Sequence, residues 1–263
     1  MFSHAPVMLN ESIDSLVLNK SGAYLDCTFG LGGHSKEILK RLSSEGTLDS
    51  IDQDQRVIKY AEKIKDPRFH FEYSKFSKIG ELFSDRKFDG ILFDLGVSSL
   101  QLDDASRGFS FQKNGKLDMR MDQNDKISAF EWINKAHEKE IADIFYSLGE
   151  ERKSRLFAKR IVERRRNKLI ESTGELAEVT YVGKKLRKSK KHPATNIFRA
   201  IRIFINNEFE EIKKALHASI DLLQDKGRLV VISFHSMEDR IVKNFLKGRL
   251  CLLYTSPSPR DGW

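Results

Sequence analysis

The chain is poor in cysteine and contains no long apolar run. Cys27 and Cys251 are its only cysteines among 263 residues, which excludes a disulfide framework and favours a reducing, cytoplasmic location. No apolar stretch approaches the ~20 residues of a membrane-spanning helix, and the first residues lack the basic-then-apolar order of a secretory signal. The histidines and cysteines show no metal-ligand spacing. We therefore expect neither a membrane partner nor a required metal.

Positive charge is abundant but unevenly distributed. The net charge is +8, yet residues 151–202 hold 17 Lys or Arg and 5 Asp or Glu, a net of +12 that leaves −4 for the rest of the chain. A solvated helical surface would account for part of this excess. Such a strong imbalance nevertheless favours a region that binds a polyanion, and we expect that polyanion to be a nucleic acid.

Short apolar runs alternate with helical periods in the first part of the chain. This alternation predicts an α/β fold with a doubly wound, mostly parallel sheet. The predicted strands cover residues 23–29, 47–52, 69–73, 88–95 and 227–234, and helical patterns between the first four cover 35–43, 55–64 and 76–83.

The alternation stops after the fourth predicted strand. Further helical patterns follow at 129–136, 139–148, 151–166 and, mostly, 195–223. We therefore predict a sheet domain in two parts, 1–114 and 207–250, interrupted by a basic helical insertion domain at 115–206. Residues 251–263 change character abruptly and hold two of the five prolines, so we interpret them as a non-native tail.

A glycine-dense turn follows the first predicted strand, and an acid closes the second. The turn contains Gly30, Gly32, Gly33 and His34, and Asp52 stands at the end of the next strand. Glycines allow close backbone approach to an adenosine-containing cofactor, and a carboxylate about 20 residues further on binds ribose hydroxyls. This pattern does not separate a nicotinamide dinucleotide from S-adenosylmethionine. Asp54 is the alternative acid, although its position also suits a helix N-terminus.

Two further strand ends carry polar groups. Asp94 lies at the end of the fourth strand, where open α/β sheets place ligands, and an acceptor there suits methyl transfer to an exocyclic amine. A capping role in a polar turn is the simpler alternative. His235 ends the fifth strand, while Ser236 and Asp239 form a possible capping box for the following helix.

Together these motifs resemble one family, the bacterial S-adenosylmethionine-dependent methyltransferases that methylate cytosine N4 in small-subunit (16S) ribosomal RNA. The resemblance covers essentially residues 1–250 and includes the segments 4–9, 30–35, 94–99, 101–104, 107–111, 117–122, 154–155, 192–195, 199–202 and 234–240. It implies a class I methyltransferase fold with a helical insertion. It also implies closing C-terminal strands, which we expect this chain to lack because the adaptor-like tail stands in their place.

The resemblance assigns cofactor contacts residue by residue. It implies S-adenosyl-L-methionine as the cofactor, held by Gly32, Gly33, His34, Asp52, Phe76, Asp94 and Gln101. No catalytic residue is assigned, and Asp94 is the best candidate for positioning the amine. Amine methyltransferases often carry a Pro-Pro-aromatic sequence after this acid, which the chain replaces by Leu95-Gly96-Val97; Phe109 and Phe111 are guesses for the ring that stacks on the base.

The partner implied by the resemblance is small-subunit ribosomal RNA, in the assembled subunit. We expect its phosphates to contact the basic insertion, at Arg164, Arg165, Arg166, Lys184, Lys185, Arg187 and Lys188. Two alternatives stay open: a non-catalytic RNA-binding or ribosome assembly factor, which would explain the basic region, and a nicotinamide-dependent oxidoreductase, which would explain the glycine turn. The sequence leaves the oligomeric state undetermined.

Overall fold

A five-stranded parallel sheet forms the centre of the first part of the structure. The computed structural model of the chain describes residues 6–181 and 192–250, and within them the strands lie in the order β3-β2-β1-β4-β5. The strands are β1 (Ala23–Asp26), β2 (Thr47–Asp52), β3 (Phe69–Tyr73), β4 (Phe88–Asp94) and β5 (Leu223–Ile232). The order reverses between β1 and β4. The predicted α/β class is confirmed, and the sheet is consistent with a class I methyltransferase fold.

The helices of the described residues run in chain order from α1 to α12. Three 3₁₀ turns lie among them, at Gln55–Val57, Phe76–Lys78 and Ala105–Arg107. The helices are α1 (Leu9–Leu16), α2 (Gly33–Arg41), α3 (Ile58–Ala61), α4 (Ile79–Leu82), α5 (Ser99–Asp103), α6 (Ala129–Lys135), α7 (Glu138–Ser147), α8 (Ser154–Asn167), α9 (Thr173–Val179), α10 (Pro193–Ile205), α11 (Glu208–Leu222) and α12 (Ser236–Leu250).

The chain divides into two compact units, which we call the sheet unit and the helical unit. Of the described residues, the sheet unit holds those up to Asp52, Val57–Gly96 and those from Phe209 onward; the helical unit holds Gln53–Arg56 and Val97–Glu208. Residues 97–114, which the sequence analysis assigns to the sheet domain, therefore make their contacts within the helical unit. Between residues 115 and 206 the described part of the chain contains no strand, only one isolated bridge.

Each unit has its own apolar core. In the sheet unit, Leu25 and Ile91 pack on one face with α11, while Tyr24 and Leu92 pack on the other with α1 and α2. Neighbouring strand residues point to opposite faces, so both faces of these central strands are covered and their sequences read as continuous apolar runs. The helical unit buries a separate cluster drawn from α6 to α10.

Three helical predictions differ from the structure. The patterns at 55–64 and 76–83 each form only a 3₁₀ turn followed by a short helix, α3 and α4 respectively. The pattern at 195–223 is broken between α10 and α11, where Asn207 adopts a left-handed backbone with φ 49°. The side chain of Asn206 accepts from Met121 N at 2.6 Å and donates to Met119 O at 2.8 Å. These tertiary bonds explain why a continuous helical pattern ends there.

Candidate active site

The glycine turn joins β1 to α2 at the carboxyl edge of the sheet. Gly32 precedes the helix with φ 73°, a left-handed conformation that L side chains adopt at a cost, and Gly33 is the first helical residue. The turn is tied to β2 as well, because Asp52 Oδ2 accepts a hydrogen bond from Gly30 N at 2.8 Å. The acid that the sequence analysis selects as the ribose ligand therefore lies beside the glycine turn.

Asp94 and His34 are neighbouring side chains at the point where the strand order reverses. His34 Nδ1 lies 3.8 Å from Asp94 Oδ2, and Asp94 N donates to Thr28 Oγ1 at 2.7 Å. The other side-chain atoms, His34 Nε2 and Asp94 Oδ1, are buried without a hydrogen-bond partner among the described residues. Buried polar atoms are normally satisfied. Two such atoms on neighbouring side chains indicate a place where a ligand supplies the missing bonds.

Electrostatics at Asp94 reinforce this interpretation. Burial raises the pKa of Asp94 to about 6; the neighbouring His34 lowers it, whereas Asp26 and Glu238 raise it. Asp26 is itself buried, and burial raises its pKa although its Oδ2 accepts from Ser35 Oγ at 2.6 Å. Several carboxylates therefore share a small buried region, an arrangement that is costly for the fold and typical of functional sites.

Glu238 is the buried carboxylate that sequence reasoning missed. It lies in the first turn of α12; Oε2 accepts from Phe234 N at 2.9 Å, and Oε1 is 3.0 Å from His235 Nε2. Ser236 is the first helical residue rather than the cap, and His235 Nδ1 accepts from Glu238 N at 3.4 Å. The signal was present in the 234–240 motif, but a capping interpretation concealed it.

Phe76 begins the 3₁₀ turn that follows β3, at the same edge of the sheet. Its ring meets Phe93 edge to face, with ring centroids 5.9 Å apart and an interplanar angle of 90°. The half-buried ring therefore has a fixed orientation, as the packing of an aromatic against an adenine requires.

Comparison with known proteins identifies the family to which this site belongs. The model of the MraW methylase family matches residues 1–257. The chain belongs to the MraW methylase family. The resemblance seen in the sequence is thereby confirmed. Family membership supports an enzyme that transfers methyl groups, and it favours this activity over the oxidoreductase and the non-catalytic RNA-binding factor.

The helical unit of this MraW-family methyltransferase contains the other predicted cofactor residue, Gln101. Its Oε1 accepts from Ser98 N at 3.1 Å, which completes a capping box at the start of α5, and its Nε2 donates to Asp54 Oδ2 at 3.1 Å. Asp54, the alternative ribose ligand, is buried in the same unit beside the guanidinium groups of Arg56 and Arg107. Burial opposes ionisation of Asp54, but the hydrogen bond from Arg56 and the charges of Arg107 and Arg56 lower its pKa overall.

The three consecutive arginines of the predicted RNA surface have different environments. Arg165 donates to Ile133 O at 2.5 Å and to Ala136 O at 2.6 Å, so it caps the end of α6. Arg164 donates to Lys168 O at 3.1 Å and lies 3.7 Å from Glu175. Arg166 is exposed. Lys184, Lys185, Arg187 and Lys188, like the tail 251–263, lie outside the described residues.

Two kinds of feature are absent from the described residues. No described helix combines the length and the apolar content that crossing a membrane requires. In residues 6–181 and 192–250, no group of three or more His, Cys, Asp or Glu side chains is arranged to hold a metal ion.

Proposed function

We propose that this methyltransferase transfers the methyl group of S-adenosyl-L-methionine to the exocyclic N4 of a cytidine in small-subunit ribosomal RNA. One observation carries the proposal: at the point where the strand order reverses, the buried Asp94 Oδ1 lacks a hydrogen-bond partner among the described residues. Family membership supports methyl transfer. The substrate rests on the sequence resemblance, together with the net charge of +12 over residues 151–202.

The residues at this edge fit the cofactor. In the sheet unit they are Gly32, Gly33, His34, Asp52, Phe76 and Asp94. The left-handed Gly32 allows close backbone approach, Asp52 offers a carboxylate to ribose hydroxyls, and His34 Nε2 is an unmatched buried atom. When bound, S-adenosylmethionine supplies a methyl group already activated by its sulfonium. Gln101 is added by the resemblance alone and stays a prediction.

Asp94 is suited to orienting the amine. Cytosine N4 is a weak nucleophile because its lone pair is delocalised into the ring, so alignment and acceptors for its hydrogens are what the protein must provide. With a pKa of about 6, Asp94 is mostly ionised at pH 7. A carboxylate oxygen without a hydrogen-bonded partner then accepts an amine hydrogen and stabilises the positive charge that develops on N4 during attack.

The RNA contacts form the second part of the proposal. Among the predicted contacts that the structure describes, the exposed Arg166 is best placed to meet phosphates, whereas Arg165 is engaged with the backbone of α6. The assembled small subunit as substrate and a cytoplasmic location belong to the same proposal and rest on the sequence.

Isotope incorporation tests the function directly. Unmethylated small ribosomal subunits would be incubated with the protein and S-adenosylmethionine carrying a deuterated methyl group, followed by digestion of the RNA and nucleoside mass spectrometry. We expect labelled N4-methylcytidine, and none without the protein. Label in a different nucleoside would overturn the N4 assignment. Absence of label from both the subunits and the naked RNA would overturn RNA methylation.

A further inference from the structure

A base held for methyl transfer needs a flat partner, and the two phenylalanines considered from the sequence are already engaged. Phe109 is buried in the core of the helical unit. Phe111 packs on Phe198 with ring centroids 5.0 Å apart, and on His192 at 5.2 Å. In the sheet unit, the two residues after Asp94 are Leu95 and Gly96, so the chain itself provides no ring directly after this acid.

The structure places an exposed ring beside Asp94 by another route. Three aromatic side chains among the described residues are exposed, namely Tyr146, Tyr181 and Phe234, and only Phe234 belongs to the sheet unit. Its side chain is 55% exposed although it lies only two residues beyond the end of β5. An exposed phenyl ring at a ligand-binding edge offers a flat apolar face to a ligand.

Strand register brings Phe234 to the same level as the acidic site. Asp94 on β4 is paired with Ile232 on β5. Gly96 and Phe234 each lie two residues beyond these paired positions. A Cβ atom built on Gly96 would lie 3.6 Å from Phe234 Cδ2 and 4.0 Å from Glu238 Oε1. Gly96 has φ 101°, which disfavours any other residue. These two distances are ordinary contact distances, so the left-handed backbone selects glycine here, and the Gly96 backbone lies beside both the ring and the carboxylate.

The backbone under this ring is fixed while the ring itself is exposed. Phe234 N donates to Glu238 Oε2 at 2.9 Å, and His235 Nε2 lies 3.0 Å from the other oxygen of the buried Glu238. The negative charge of Glu238 also raises the pKa of Asp94, so the residue that anchors Phe234 is electrostatically close to the proposed amine acceptor. A ring positioned in advance loses little freedom when a flat ligand stacks on it.

We propose that Phe234 is the residue on which the target cytosine stacks, with its amine directed toward Asp94. This proposal rests on the proposed function and adds the recognition of the base. Base–aromatic stacking requires the cytidine to leave its own stack, as enzymes that modify bases commonly arrange. It also gives a role to the 234–240 motif, whose buried Glu238 holds the backbone that carries the exposed ring.

The test compares variants of the full chain by kcat/KM for small ribosomal subunits at saturating S-adenosylmethionine. Loss of one base–aromatic stack lowers kcat/KM by roughly 5- to 150-fold, so we expect this loss for Phe234→Ala and Phe234→Leu. Phe234→Trp, which restores a flat face, should regain most of the activity. Tyr146→Ala removes an exposed ring from α7 in the helical unit. It is the matched control, and its kcat/KM should equal that of the wild type.

A second readout separates the base from the cofactor. The dissociation constant of S-adenosylmethionine, measured by calorimetry, should be the same for Phe234→Ala and the wild type. The stacking proposal alone is overturned if the wild type methylates RNA and Phe234→Leu does so equally well, or if the cofactor affinity falls as much as kcat/KM does. If the wild type methylates no RNA, the proposed function fails and this inference fails with it.

Discussion

Each of the two units contains buried carboxylates, but the groups that surround these carboxylates differ in charge. In the helical unit, Asp54 is surrounded by cations: Arg107 Nη1 lies 3.0 Å from its Oδ2 and Arg56 Nη2 2.9 Å. In the sheet unit, Asp94 faces the His34 imidazole at 3.8 Å, with Asp26 and Glu238 as like-charged neighbours. The pKa is lowered at Asp54 and raised to about 6 at Asp94.

This difference separates a structural cluster from a functional one. Paired and hydrogen-bonded charges hold a fold together, although such pairs seldom stabilise it more than apolar residues would. Carboxylates held close to each other without cations destabilise the folded state, so they are expected where they serve chemistry. Burial alone does not distinguish the two clusters. The partners of each oxygen do.

The largest expected effect is on stability, in the helical unit. Asp54→Asn removes the negative charge between two guanidinium groups and leaves the buried Arg107 without its ion pair. Removing one partner of a buried pair costs about 3–5 kcal/mol in the free energy of unfolding, measurable by urea titration at pH 7. Asp104→Asn is the control, because the half-buried Asp104 is more exposed than Asp54 where it pairs with Arg56, and asparagine keeps the oxygen that accepts from Ser106 N; its effect should stay below about 1 kcal/mol. Equal effects would remove the distinction between the clusters.

The matched substitution in the sheet unit should act in the opposite direction. Asp94→Asn removes a charge whose raised pKa shows that ionisation is disfavoured in the folded state, so the free energy of unfolding at pH 7 should rise by about 1–3 kcal/mol. Methylation should fall by about 10²–10³-fold because the acceptor for the amine is lost. Loss of both stability and activity would show that Asp94 is structural.

Neighbouring arginines sharpen the same comparison within the helical unit. Arg165→Ala leaves two carbonyls at the end of α6 without their donor and should lower the free energy of unfolding by about 1.5–3 kcal/mol. Arg166→Ala should change the free energy of unfolding by less than about 0.5 kcal/mol. It should also reduce the slope of log K for RNA binding against log salt concentration by about 1. The reverse pattern would place the phosphate contact at Arg165.

The pH dependence of methylation tests the charge state of Asp94 itself. Because Asp94 acts in its ionised form, the rate should be level above its pKa of about 6 and fall about tenfold for each pH unit below it. Folding stability changes with pH in the opposite direction to the rate. Between about pH 4 and 6 the folded state binds more protons at Asp94 than the unfolded state does. The contribution of Asp94 to the free energy of unfolding therefore declines as the pH rises through that window. In Asp94→Asn the stability decline due to this group should be absent.

The sequence predicts the sheet well because its signals are local. The five predicted strands all occur, because buried parallel strands have sequences that are short apolar runs between turn residues. The Asp94 position follows from the same rule, because ligands bind beyond the carboxyl ends of strands. What the sequence did not predict depends on distant pairing. The Asp54–Arg107 ion pair, the break at Asn206, and the anchoring of Phe234 by Glu238 each require tertiary contacts.

The most direct test measures stability and methylation on the same preparations of Asp94→Asn and Asp54→Asn. The two substitutions are chemically identical, so only their surroundings differ. We expect Asp94→Asn to be at least as stable as the wild type and nearly inactive, and Asp54→Asn to be less stable but active at temperatures where it remains folded. An active Asp94→Asn beside a folded but inactive Asp54→Asn would contradict the account and move the reactive centre away from Asp94.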